Sequence, residues 1–188
     1  MKELTNFLLQ FGNLNEQQMD LVESKATELE LKKNEYFSEA GKIPRQIGFL
    51  TEGIVRVCYY NNKGEEITRY FSAENSLVMD YVNFEANRAS SEYIQAVTDC
   101  KLLVYSKTDW QDIAETIADW NRMTDKMVQQ CLIRKVRHNP KISQDATTRY
   151  LEFMEDFPML VNRVPLVYIA SYLGITATSL SRIRKNIR

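Results

Sequence analysis

The chain has 188 residues, of which 44% are hydrophobic and 26% charged, with a formal net charge of −1. That apolar content supports a packed core and excludes wholesale disorder, and the length suits one large domain or a sensor domain with a small helical one. No run approaches the roughly 18 apolar residues that span a bilayer, and the start Met1-Lys2-Glu3-Leu4 lacks a signal core. A soluble, cytoplasmic protein with no membrane partner is expected.

The three cysteines, Cys58, Cys100 and Cys131, are odd in number and far apart. That argues against a disulfide framework, a zinc ribbon or a cysteine-ligated cluster, and buried apolar thiols are expected. His138 is the single histidine; it is read as solvated near a helix end, and no multi-histidine metal or haem site can be built from it. Charge is unevenly distributed. Residues 1–120 carry 12 Lys/Arg against 20 Asp/Glu, whereas residues 121–188 carry 12 against 5. A basic C-terminal part favours a polyanionic partner through Coulomb attraction and counterion release.

In chain order, Leu4, Phe7, Leu8 and Phe11 fall at helical spacing and Gly12 ends the run. Asn15 can cap a second helix carrying Met19, Leu21, Val22 and Ala26. From about Leu29 to Tyr105 the period changes to short apolar runs between turn signals. The run Ile54 to Tyr60, the turn Asn61-Asn62-Lys63-Gly64 and the return Glu66 to Phe71 read as a hairpin. Tyr93 to Val97 and Lys101 to Tyr105 read as a further strand pair around Asp99. Gly41 and Gly64 are read as ordinary turn glycines. Many short strands at regular spacing predict an antiparallel roll or barrel.

Ser106 or Thr108 can then cap a helix with Trp110, Ile113, Ala114 and Ile117 on one face. A longer helix is predicted over Trp120 to Arg137. Its apolar positions, among them Trp120, Met123, Met127, Val128 and Cys131, lie near a 3.5-residue repeat and are the expected dimer seam. Asn139-Pro140 breaks it. Ser143 caps a helix bearing Ala146, Tyr150, Phe153, Met154 and Phe157, stopped by Pro158.

The last 24 residues carry the most specific pattern. Pro165 can start a helix with an apolar stripe of Ile169, Ala170 and Leu173. Gly174 marks a sharp turn, Ile175 is read as its buried plug, and Thr176 caps a second helix with inner face Leu180, Ile183 and Ile187. The outer face is Ala177, Thr178, Ser179, Ser181, Arg182 and Lys185, with Arg184 at the flank. Short polar and basic side chains suit the major groove, where Arg reads guanine bidentately. This is the pattern of a helix-turn-helix with its recognition helix.

The chain resembles the cyclic-AMP receptor protein / fumarate–nitrate regulator (Crp/Fnr) family, in the short form found in Bacteroidetes-like bacteria. The resemblance covers nearly the whole chain and rests on Ile47-Gly-Phe-Leu-Thr-Glu-Gly-Ile-Val-Arg56, Gly64-Glu-Glu-Ile-Thr68 and Val164 to Thr176. It implies an α+β fold in three parts: a β-roll sensor with flanking helices over 1–119, a dimerisation helix over 120–138, and a DNA-binding helix-turn-helix over 139–188. By position it implies base reading by Ala177, Thr178 and Arg182 and phosphate contacts by Thr176 and Ser179. Ala177 stands where the type member has arginine, so a different operator is expected.

The family's nucleotide cassette has Gly-Glu and then an arginine about ten residues on. The matching places here are Met79-Asp80 and Ser90, with Arg88 out of register. Ser90 lacks the charge a bidentate phosphate contact needs. The expectation is therefore that cyclic AMP is not the effector. The implied effector pocket includes Leu77, Met79, Asp80, Ser90 and Ser91, with an unidentified small molecule as its ligand and no cofactor assigned. The iron–sulfur branch's cysteine cluster is missing, and a reduced or missing β-hairpin wing is expected from the end at Arg188.

The implied mechanism is a homodimer that holds two recognition helices about one DNA turn, roughly 34 Å, apart on double-stranded DNA. RNA polymerase is a further candidate partner, and a β-roll signal would shift the helix geometry. Two rivals stand beside this reading. One is a small-molecule-binding module whose helical tail contacts proteins, which the basic face of residues 177–188 opposes. The other is an enzyme on a cupin-like barrel, which one histidine and no metal-ligand cluster oppose; no catalytic residue is assigned.

Overall fold

A computed structural model describes residues 2–137, Pro140 and 143–187. The expectations for His138, Asn139 and the end at Arg188 lie outside the described residues. Two helices, α1 (Lys2–Leu8) and α2 (Glu16–Lys25), precede the strands. Asn15 caps α2 in a full capping box with Gln18, as the sequence predicts. Eight strands follow: β1 (Thr27–Leu31), β2 (Tyr36–Ser38), β3 (Gln46–Glu52), β4 (Ile54–Tyr60), β5 (Glu66–Ala73), β6 (Ser76–Val78), β7 (Tyr93–Ala96) and β8 (Cys100–Ser106). The short helix α3 (Tyr81–Ala86) interrupts them. The remaining helices are α4 (Lys107–Thr116), α5 (Trp120–Arg137), α6 (Ala146–Asp156), α7 (Leu166–Leu173) and α8 (Ala177–Ile187).

The strands form two antiparallel four-stranded sheets, ordered β1-β8-β3-β6 and β2-β7-β4-β5. This is the predicted antiparallel roll. The β4–β5 hairpin closes around Asn61 to Gly64 as expected. The predicted pairing of residues 93–97 with 101–105 is corrected: β7 pairs with β2 and β4, and β8 with β1 and β3. The chain crosses between sheets at Val97 to Asp99, so these neighbours in sequence lie in opposite layers. Gly53 makes the other tight corner, between β3 and β4, at φ +102°; a Cβ there would collide with the Asp99 carbonyl.

Strand alternation sorts the core into three clusters. Between the sheets lie Leu50, Leu102 and Val104 from one and Val55, Val57 and Ile94 from the other. On the outer face of β3 and β8, Ile47, Phe49, Leu103 and Tyr105 pack against α1, α4 and α5. On the outer face of β4 and β5, Ile54 and Phe71 pack against the C-terminal helices. Both faces of β3, β4 and β8 are largely covered, which is why these strands read as nearly continuous apolar runs.

Helix α5 has the predicted extent. Trp120, Met123 and Met127 are at most 1% exposed and sit in the core against β3 and β8, with Val128 and Cys131 packed beside them. Trp120, Met123 and Met127 thus bind α5 to its own β-roll and leave little surface for a dimer seam, whereas Val128 and Cys131 are only partly buried. The apolar residues that α5 leaves exposed are Leu132, Ile133 and Val136. The cap of α6 is also corrected. Asp145, not Ser143, accepts the N–H groups of Thr147 and Thr148. Ser106 is the cap of α4.

Candidate DNA-binding surface and effector cavity

Helices α7 and α8 join at Gly174, which takes the left-handed conformation (φ +65°, ψ +37°). The Ile175 N–H returns to the Ala170 carbonyl (3.0 Å) and closes the turn in the Schellman manner. The Arg149 guanidinium of α6 donates to the Leu173 carbonyl, so a cation sits at the negative end of α7. Thr176 Oγ1 accepts the Ser179 N–H (3.1 Å) and caps α8 as predicted. Ala170 and Leu180, both buried, let the helices approach closely. Ile175 is half-buried rather than fully buried, and Ile187, expected on the inner face, is exposed.

The outer face of α8 is open. Thr176, Thr178, Ser179, Arg182 and Lys185 are exposed, and Ala177, Ser181 and Arg184 half-buried. The helix has no acidic residue, and none of its three cations forms an ion pair with a described carboxylate. A row of unneutralised cations and short hydroxyl side chains, backed by a rigid apolar core, is a surface on which a polyanion can seat.

The helix-turn-helix is tied to the β-roll through α7. Arg56 on β4 is 1% exposed. Its Nε and Nη2 donate to Gln95 Oε1 (2.9 and 2.6 Å), its Nη1 donates to Thr68 Oγ1 (3.1 Å), and it pairs with Glu66. The Tyr168 ring of α7 lies 3.6 Å from the guanidinium carbon. Beside it, Ser171 Oγ donates to the Glu66 carbonyl (3.0 Å) and accepts the Thr68 N–H (2.9 Å). Nearer the other end, Arg163 makes a two-pronged pair with Glu74, whose carboxylate also accepts the Gly53 N–H (2.9 Å). The Arg163 guanidinium holds the Glu74 carboxyl down at about 2. Sequence reading missed this hub. Nothing in a strand pattern distinguishes an arginine on a helix-covered face from one facing water.

A cavity of about 350 Å³ opens between β5, β6, α5 and residues 156–160. Of the predicted effector residues, it contains Leu77 and Met79 only. Asp80 lies outside it, with its carboxylate accepting Asn83 Nδ2 (2.8 Å). Ser90 is buried and spent internally. Its hydroxyl donates to the Glu92 carbonyl and accepts the Glu92 N–H (3.0 and 3.1 Å), and its backbone bonds to Gly41 and Lys42. Ser91 faces a separate groove shared with Tyr60, Glu92 and the end of α7. The five residues are thus not brought together. The cavity adds Tyr70, Phe157, Leu160 and, from α5, Arg134 and Lys135. Lys135 Nζ lies 4.4 Å from the Tyr70 ring centroid, and burial pulls its pKa below the usual lysine range. The reading of α5 as a dimer seam hid these residues.

Cys58 and Cys100 are buried and Cys131 partly so, and burial raises the pKa of each thiol, as inert apolar cysteines require. Among the described residues no group of His, Cys, Asp and Glu is placed to hold a metal, and no helix is long and apolar enough to cross a membrane.

Residues 28–116 match the family described as Cyclic nucleotide-binding domain. No curated protein sequence matches the chain at a significant level. Solved structures do. The CLP protein of Xanthomonas campestris, described as a c-di-GMP responsive global regulator, is similar at TM-score 0.73 and 14% identity, over 92% of this chain and 91% of its own. FixK2 from Bradyrhizobium japonicum is similar at TM-score 0.69 and 17% identity, over 86% and 84%. A regulator assigned to the Crp/Fnr family from Eubacterium rectale is similar at TM-score 0.68 and 16% identity, over 92% and 83%. Residues 28–116 are thus similar to a cyclic nucleotide-binding domain, and the chain as a whole has the fold of these regulators.

Proposed function

We propose that the chain is a cytoplasmic, homodimeric, sequence-reading transcription regulator and not an enzyme. The observation that carries this is α8: a capped, rigidly backed helix whose exposed face presents Thr178, Ser179, Arg182 and Lys185 with no acid on the helix. Arg182 reads a base edge, and Thr176, Ser179 and Lys185 meet phosphates. Dimerisation uses the exposed Leu132, Ile133 and Val136 of α5, which would otherwise leave an apolar stripe in water. RNA polymerase is the natural further partner of such a regulator. The cavity beside α5 is the effector site. It does not take cyclic AMP, because Ser90 is neither charged nor free and Met79 replaces the family's glycine.

The test is selection of genomic DNA fragments by the purified protein at moderate salt, followed by sequencing. An enriched inverted repeat with half-sites about 10 base pairs apart is expected. Arg182→Ala should weaken specific binding by about 1–3 kcal/mol and relax one base position. Ile133→Glu should give a monomer that loses the repeat. If nothing is enriched with or without a metabolite extract, and binding stays undetectable at low salt, the C-terminal helices are a protein-contact module instead.

A further inference from the structure

We infer that the cavity between β5, α5 and residues 156–160 binds an amphiphilic monocarboxylate, with its apolar body against Leu77, Phe157 and Leu160 and its carboxylate on Lys135. This rests on the effector reading above. The volume of about 350 Å³ is at the small end of the roughly 300–1,000 Å³ usual for ligand pockets, which suits a compact molecule.

The walls are largely apolar, so a ligand rich in hydroxyls would lose hydrogen bonds to water on entering and regain few. The charged lining groups are Glu74, Asp156, Arg134 and Lys135. Glu74 is committed to Arg163 and the Gly53 N–H. Arg134 is exposed. Lys135 alone combines a partly buried ammonium with an aromatic face and no described carboxylate within ion-pair distance. Burial penalises its charged form, so the site gains from an incoming anion more than a solvated lysine would. One such cation matches one negative charge, and it offers a point charge rather than the fork that grips a phosphodiester.

The ligand would touch the β-roll, α5 and the segment leading into the helix-turn-helix at once. Its binding would therefore join the sensor to the DNA-reading part within one subunit.

The experiment is calorimetric titration of the full-length protein with 4-phenylbutyrate and with its uncharged amide. The acid should bind about tenfold more tightly than the amide, the difference one charge-assisted bond supplies. Lys135→Met keeps the apolar stem; it should abolish that preference while leaving the amide's affinity unchanged. Equal affinities in the wild type, a preference that survives Lys135→Met, or binding of neither compound would overturn the inference. DNA binding is measured on the same samples. Intact DNA binding without carboxylate binding removes this inference alone, whereas carboxylate binding without any DNA binding removes the regulator reading and leaves the ligand site.

Discussion

The two outer faces of the β-roll are covered by helices in opposite ways. Over β3 and β8 the contact is apolar: Phe7 against Phe49 (5.3 Å between ring centroids), Trp110 against Trp120 (5.1 Å), and buried Met123. Over β4, β5 and β7 it is organised around a buried arginine, with Tyr168 and Ser171 of α7 completing a polar hub, and Phe71 against Tyr172 alongside. Apolar packing has no preferred direction and does not titrate. A hub of charge-assisted bonds holds only while each member has its partner. The first face fixes α5 as part of the β-roll's core. The second gives the helix-turn-helix a definite seat that the loss of a few groups can undo.

The largest expected effect tests the apolar face. Trp120→Ala empties a fully buried site and should cost about 3–5 kcal/mol of stability, read by urea denaturation. If α5 were held mainly by a partner subunit, the loss would instead depend on protein concentration. The intermediate effect tests the hub. Arg56→Leu leaves Gln95, Thr68 and Glu66 without their donor and should cost about 2–3 kcal/mol, less than a fully buried pair because Glu66 can rehydrate. Hydrogen exchange should speed up in α7 and α8 and stay unchanged in α1 and α5. A uniform rise across the chain would mean that the hub belongs to the global core and is no separate seat.

Much of this was legible in sequence because it is local. Caps and turns are written in single residues, so Asn15, Thr176, Gly174 and the Asn61 to Gly64 turn were readable in place. The roll was readable from β-branched and aromatic runs. Partner choice between sheets was not. Residues 93–96 and 100–106 look like a hairpin until the chain is seen to cross layers at Val97 to Asp99. The burial partner of α5 was not legible for a related reason. A stripe of Trp120, Met123 and Met127 shows that one face is buried, and it does not say whether its own β-roll or a second subunit buries it. The exposed outer face of α8 was foreseen, whereas Asp80, Ser90 and Ser91 were grouped by family position; the structure spends Asp80 and Ser90 on separate local bonds and places Ser91 at another groove. Arg56 and Lys135 owe their character to long-range packing, which no window of sequence records.

The smallest effect sharpens the comparison by pH. Glu74 titrates at about 2 in the folded chain against an ordinary 4.5, chiefly because Arg163 pairs with it. A depressed carboxylate contributes stability that is fully present above about pH 4.5 and is lost as pH falls through 2. Both side chains are partly exposed, 28% for Glu74 and 35% for Arg163, so screening reduces the contribution to about 1 kcal/mol. Lowering pH from 5 to 2.5 should therefore loosen α7 before it loosens α5, since among the described residues the packing of Trp120 and Met123 is apolar. Glu74→Gln should be slightly less stable at pH 6 and lose this part of the acid dependence, while the wild type converges on it near pH 2. Site-resolved hydrogen exchange across that range reads both. Equal loosening of α5 and α7 in the wild type would show that acid acts on the whole fold, and the contrast between the two faces would then lie in chemistry alone and not in stability.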